Sequence, residues 1–396
     1  MFEWREAVRK AVAQSESQFF EISDYIFEHP ELGDQEYESS AYLVKVLQEA
    51  GFTVQYPCAG LDTAFRADLK TGEGPTIAFI AEYDALPGYG PEKKPGHACG
   101  HNWIAAITAG AGIALAKMKE QFSGTVSVIG TPAEEGPSRK PDMIAAGIFD
   151  DVDAAFQMHL YEESNLKARA LALGSMEFEF IGRASHAAVH PEEGINALDA
   201  VNLTYTAIGL LRQQLQDDVR IHGIINAGGD APNTIPDRCK CQFFVRAARK
   251  SYFLKVYERV KNCARGAALM TGTQLIIHET PHTLDDLVVN PVLAELMEKC
   301  MYEAGFEPLS QIPEVPGSTD IGNLSYACPT LYGNVGIAGG KAKVHEEEFL
   351  KYANSEEAKR RIVMTVEAFL HAAMELYHNP ELVREVRESY LRSIAD

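Results

Sequence analysis

Two short, largely apolar runs, residues 76–80 and 124–130, are rich in β-branched side chains and bounded by turn residues, the pattern of strands buried within a sheet. Residues 101–119, between them, read as a helix. Strand-like and helix-like segments alternate in this way through the first half of the chain, which predicts an α/β layer structure with a largely parallel sheet. The second run ends at Gly130, so Glu134 and Glu135 come just past its C-terminal end, where open α/β sheets bind ligands.

From about residue 175 to 279 the order changes. A strand (176–183), a helix (195–214), two strands (219–227 and 240–247), a helix (251–269) and a last strand (274–279) form the split βαβ pattern of a ferredoxin-like α+β domain. Beyond it alternation resumes, with helices at 291–305 and 355–378, a strand at 330–335 and a charged C-terminal helix. The expected fold is therefore α/β: a mixed, largely parallel sheet flanked by helices, built from 1–174 and 280–396, with 175–279 inserted as a smaller domain. There is no internal repeat.

Composition agrees with this picture. A chain of 396 residues exceeds the size at which one core usually keeps growing, so two domains are expected. The net charge of -20 excludes nucleic acid or an anionic membrane as the main partner, since both need a basic footprint. No stretch is apolar for the length of a membrane span, and the first residues carry no basic leader before an apolar run, so a cytoplasmic protein is expected. Seven scattered cysteines do not make a secreted disulfide framework; most are expected to be small buried hydrophobes.

One of them belongs to a different pattern. Cys99 and His101 stand two residues apart in a Gly-containing turn between a strand and a helix, and Glu134, Glu135, His159 and His345 follow at or near predicted strand ends. Borderline-soft divalent ions take sulfur, imidazole nitrogen and carboxylate oxygen together, and a catalytic site keeps one position open for water. Taken alone, Cys99 reads equally as a core residue and His101 as a helix cap. Two adjacent glutamates, however, are not buried cheaply without a cation, because each loses solvation and repels the other. Glu135 is read as a ligand and Glu134 as the base that takes a proton from water and returns it to the leaving amine.

The segments 81–88, 97–102, 132–136, 185–188 and 232–237 together resemble the amidohydrolase branch of the aminoacylase and carboxypeptidase metallopeptidases, in matching order across nearly the whole chain. The resemblance implies an amide hydrolase with two divalent ions per subunit. Cys99 would bridge the ions, His101, Glu135, His159 and His345 would complete the ligand set, Glu134 would be general acid/base, and Asp84 would orient a ligand imidazole. His97 matches no ligand position. His186, which by itself reads as a surface or capping residue, would polarise the scissile carbonyl in a neighbouring subunit's site, which makes a homodimer the expected working unit.

Asn233 and Arg246 are candidate anchors for a substrate carboxylate or carbonyl, Arg offering a bidentate fork, with a turn Asn and a surface Arg as the plainer readings. Ser318 and Thr319 lie in a Gly- and hydroxyl-containing segment that lines the pocket in relatives and that a simple turn explains nearly as well. Asn102 and Glu82-Tyr83 depart from the commoner family pattern and resemble the aminobenzoyl-glutamate hydrolase and aminoacyl-dipeptidase sub-branch. The expected substrate is a small N-acyl amino acid or dipeptide. An N-acetyl amino acid deacetylase or aminoacylase is the alternative, followed by a non-catalytic metal-binding protein. Zinc or manganese is expected, with cobalt or nickel also compatible with the ligand types.

Overall fold

The computed structural model describes residues 3–311 and 317–395. In chain order its strands are β1 (Thr53–Gln55), β2 (Phe65–Lys70), β3 (Thr76–Ala81), β4 (Leu86–Tyr89), β5 (Lys94–Gly96), β6 (Thr125–Gly130), β7 (Ala154–Tyr161), β8 (Ala172–Ile181), β9 (Arg220–Ala227), β10 (Arg238–Ala247), β11 (Gln274–Glu279) and β12 (Thr330–Gly336). The described residues fall into two compact units, one of residues 3–169, 287–311 and 323–395, the other of Ala170–Asp286 and 317–322.

The first unit is built on a six-stranded sheet of order β1-β2-β6-β3-β7-β12. Strands β6, β3, β7 and β12 run parallel, and β1 and β2 add an antiparallel edge, so the sheet is mixed and largely parallel. Every residue of β3 is buried, which is why its sequence reads as a continuous apolar run rather than an alternation. The helix His101–Lys117 is buried at each position from His101 to Leu115. Gly110 and Gly112 allow this: a Cβ there would come within 2.7 Å of Phe19 and 2.6 Å of Val128. The helix stops two residues short of the expected end, and the chain continues as a 3-10 turn, Lys119–Gln121.

Two helices that the apolar pattern did not mark, Glu3–Glu28 and Tyr37–Glu49, precede the sheet, and β4 and β5 form a small separate ribbon in the segment 86–96. The helix Pro291–Glu303 starts where Asn290 caps it, its side chain accepting from Val292 N and Leu293 N at 3.1 and 3.2 Å. A cap of this kind contributes about 1 kcal/mol.

The second unit carries an antiparallel sheet of order β11-β8-β10-β9, covered by the helices Ala197–Leu211 and Lys250–Thr271. Alternation along β10 turns Cys239, Cys241, Phe243 and Val245 into the core and leaves Lys240, Gln242, Phe244 and Arg246 on the opposite face. The unit extends beyond 175–279 because Leu173 bridges Leu284 and Ala170 bridges Gly317. No described helix is long and apolar enough to cross a membrane.

Candidate metal centre

The parallel strands of the first unit deliver their C-terminal ends to one place. Thr131, just past β6, is tied to β3 through its N–H and its hydroxyl, both donating to Ala81 O at 2.8 and 3.0 Å. The chain then turns sharply at Ala133, which takes φ +58°, a left-handed conformation that costs a non-glycine residue on the order of 1–3 kcal/mol. Buried Glu36 holds the turn: one carboxylate oxygen accepts from Ala133 N at 2.7 Å and the other from Thr63 Oγ1 at 2.9 Å. Gly33 gives it room, since a Cβ there would lie 2.9 Å from the Ala133 Cβ. Glu134 and Glu135 follow directly.

Asp84, 1% exposed in the loop after β3, joins two parts of the site. Its Oδ1 accepts from His101 Nδ1 at 2.9 Å and its Oδ2 from Glu135 N at 2.9 Å. The first contact fixes the tautomer of His101 and leaves Nε2 facing inward. His159, on β7, is set in the same way by its own strand, Nδ1 donating to Leu160 O at 2.6 Å. His345 arrives on a loop with φ +70°, its N–H donating to Ala98 O at 2.8 Å and its carbonyl accepting from Tyr89 at 3.0 Å.

These constraints converge on Cys99. Its sulfur lies 3.4 Å from His159 Nε2 and 3.3 Å from His345 Nε2, and Glu135 Oε1 lies 3.1 Å from the latter. Three triads result, Cys99–His101–His159, Cys99–Glu135–His345 and His101–Glu134–Glu135, each with donor atoms within 4.8 Å of one another. Cys99, His101 and Glu135 each belong to two of them.

The electrostatics suit a cation. Desolvation, then Glu135 and Glu134, push the Cys99 thiol well above its ordinary range. Desolvation opposes protonation of His101, but Asp84 outweighs it and raises the imidazole to about 10. Desolvation lowers His159 to about 4, with the neighbouring His101 adding to the effect. Burial works against ionised Glu135, yet His345 and His101 bring it to about 2. Two buried atoms, His101 Nε2 and Glu135 Oε1, lack a hydrogen-bond partner of proper geometry, although Glu135 is close to His345. Donors crowded into three overlapping triads, with two buried atoms among them lacking a partner, fit a divalent ion of mixed S, N and O preference.

The remaining predicted site residues lie in the second unit. His186 is exposed; its backbone bridges Thr234, and Ala187 N donates to Asn233 O at 2.9 Å, so the His186 and Asn233 loops are neighbours. Arg246 donates to Ser318 Oγ at 2.9 Å and pairs with no carboxylate among the described residues, which leaves a half-buried guanidinium for an anionic group. The Thr319 hydroxyl accepts from Ile321 N at 3.4 Å and opens a short helical turn.

Sequence reasoning missed Glu36. Its contact with Ala133 spans 97 residues, and burial, followed by Asp84, lifts its carboxyl to about 7. No local motif marks it. Lys140 was missed as well; it is fully buried against Glu82 at 2.5 Å.

Residues 78–371 match the model of peptidase family M20/M25/M40. The chain is 34% identical over 386 residues to a mouse (Mus musculus) Xaa-Arg dipeptidase, covering 93% of this chain and 88% of that one. It is 36% identical over 278 residues to one of the subunits of p-aminobenzoyl-glutamate hydrolase from Escherichia coli K12, covering 66% of this chain and 58% of that protein. A dinuclear metal-binding peptidase of the M20 family from Bacillus subtilis shares the fold, with a TM-score of 0.72, 22% identity, and coverage of 92% of this chain and 99% of that structure. With the family model spanning most of the chain and a relative matched nearly end to end, the protein belongs to peptidase family M20/M25/M40 and is a metal-dependent hydrolase of amide bonds.

Proposed function

We propose that the protein hydrolyses the amide bond of a dipeptide or a small N-acyl amino acid, of the aminoacyl-dipeptide or aminobenzoyl-glutamate kind, using two divalent ions per subunit. The observation that carries this reading is the convergence of Cys99, His101, Glu135, His159 and His345 beside Glu134. Cys99, like His101 and Glu135, belongs to two triads, and its thiolate is the group that would hold both ions, zinc or manganese in this reading, with cobalt or nickel as chemically suitable replacements. Such ions supply Lewis acidity, which acidifies water and polarises a carbonyl.

The chain's own residues do the rest. Glu134 takes the proton from water and returns it to the leaving amine. Asp84 holds the His101 ring so that Nε2 points inward, and its second oxygen fixes the backbone of Glu135. Arg246, which donates to Ser318, is assigned to the substrate carboxylate, and Asn233 and Thr319 to substrate binding. Both of the relatives described above carry names that refer to dipeptide or aminobenzoyl-glutamate cleavage, which favours that class over acetylated amino acids. Metal analysis of the purified protein, with released amine measured on both classes, tests this. Faster turnover of N-acetyl amino acids than of any dipeptide would shift the assignment to an aminoacylase.

His186 is assigned to the carbonyl oxygen of the neighbouring site in a homodimer. Strand β9 lies at the edge of its sheet and exposes Ile224 and Ile225 at 63% and 47%, features that favour pairing with a second copy. The unpaired cysteines are consistent with a reducing, cytoplasmic compartment. Under subunit exchange, a mixture of inactive His186→Ala and inactive Glu134→Gln proteins should recover about a quarter of wild-type activity, since half of the dimers are mixed and each has one intact site. No recovery despite demonstrated exchange would place His186 outside trans catalysis.

A further inference from the structure

Lys140 starts the short helix Lys140–Ala145, five residues after Glu135, and its side chain is 0% exposed. The loop between them folds back on itself, Ser138 N donating to Ala133 O at 2.9 Å, and so returns an ammonium to the cation-binding site. Lys140 Nζ contacts Glu82 Oε1 at 2.5 Å. The other oxygen, Glu82 Oε2, lies 3.8 Å from His101 Nε2, the imidazole nitrogen left without a hydrogen bond. Buried Gln157, two residues before His159 on β7, lies near the same carboxylate with neither of its side-chain polar atoms in a hydrogen bond of proper geometry. A fully buried ion pair loses so much hydration that an apolar pair of similar volume is often at least as stable, so stability alone does not account for it. The second oxygen of Glu82 is also near enough to the inward face of His101 to compete for whatever His101 binds.

We propose that Lys140 and Glu82 are a positioning pair for the metal centre: Lys140 engages one oxygen of Glu82 and so keeps that carboxylate beside His101 as an uncoordinated counter-charge. Without the ammonium, the same carboxylate swings into the coordination sphere. The proposal rests on His101 being a metal ligand. It assigns Glu82 to charge compensation rather than to catalysis, and Lys140 to restraining it.

Cobalt(II) is the probe, because its visible absorption weakens as the coordination number rises and a bound thiolate adds a near-ultraviolet charge-transfer band. Wild type, K140M, E82Q and K140M/E82Q proteins are stripped, reloaded with cobalt and titrated against a competing chelator. The expected results are a weaker visible spectrum per bound cobalt in K140M, with tighter binding, and a wild-type spectrum restored in K140M/E82Q. E82Q alone should bind cobalt about 10- to 100-fold more weakly, the usual effect of removing a group that supports a ligand. A K140M spectrum superimposable on wild type overturns the proposal, as does a K140M change that persists in the double variant. Should K140M not fold, E82Q decides: weaker binding supports the proposal, and unchanged affinity overturns it. A wild-type protein that binds no cobalt, or binds it without the thiolate band, would instead overturn the ligand assignment, and the inference with it.

Discussion

Glu134→Gln is expected to lower kcat by roughly two to four orders of magnitude, the usual scale for loss of a general acid/base, while metal content stays near the wild-type value. The substitution keeps the shape of the side chain and removes its charge, and with it the ability to accept a proton. Two contacts that shape the loop do not involve the Glu134 carboxylate: Ala133 is held by Glu36, and Glu135 N by Asp84. Glu134 is nonetheless close enough to His101 and Glu135 to complete a triad, so the rival reading is that it binds metal. Metal stoichiometry measured alongside kcat separates the two. A variant that loses metal and regains full rate in metal excess would make Glu134 a ligand and leave the base unassigned.

What was legible in the sequence and what was not follow from distance along the chain. Cys99 and His101 are two residues apart, and Glu134 and Glu135 are adjacent beyond an apolar strand, so a local pattern exposes them before any folding is considered. His159 and His345 are single residues, marked only by their place near predicted strand ends and by the family resemblance. Glu36 and Lys140 carry no such mark. Glu36 reaches Ala133 from a loop before the helix Tyr37–Glu49, in a stretch where no element was predicted, and Lys140 reads as one more surface lysine until the loop folds it inward. The boundary of the second unit was blurred for the same reason: residues 317–322 join it through pairings with Ala170 and Leu171, about 145 residues away by chain order.

Replacing Cys99 with Ser should have the other large effect, on metal affinity and on its pH dependence together. Before an ion binds, the thiol of Cys99 sits well above its ordinary range and His101 near 10, so both carry protons at neutral pH, whereas His159 near 4 and Glu135 near 2 have already lost theirs. Binding must therefore expel one proton each from Cys99 and His101, and these two groups should make affinity rise with pH by about two log units per pH unit between about pH 6 and 8, below both raised values. A serine hydroxyl neither ionises in that range nor bridges ions as a thiolate does. The variant should bind metal more than about 100-fold more weakly, exceeding the loss seen when only a supporting group is removed, and its pH slope should fall by about one, the proton from His101 still being released. Activity should fall in parallel and return only in part at high metal concentration. Metal titrations in weakly buffered solution measure the protons directly. If the serine variant keeps wild-type stoichiometry and releases as many protons as wild type, Cys99 is outside the ligand set, and the buried sulfur between two histidines is a packing contact.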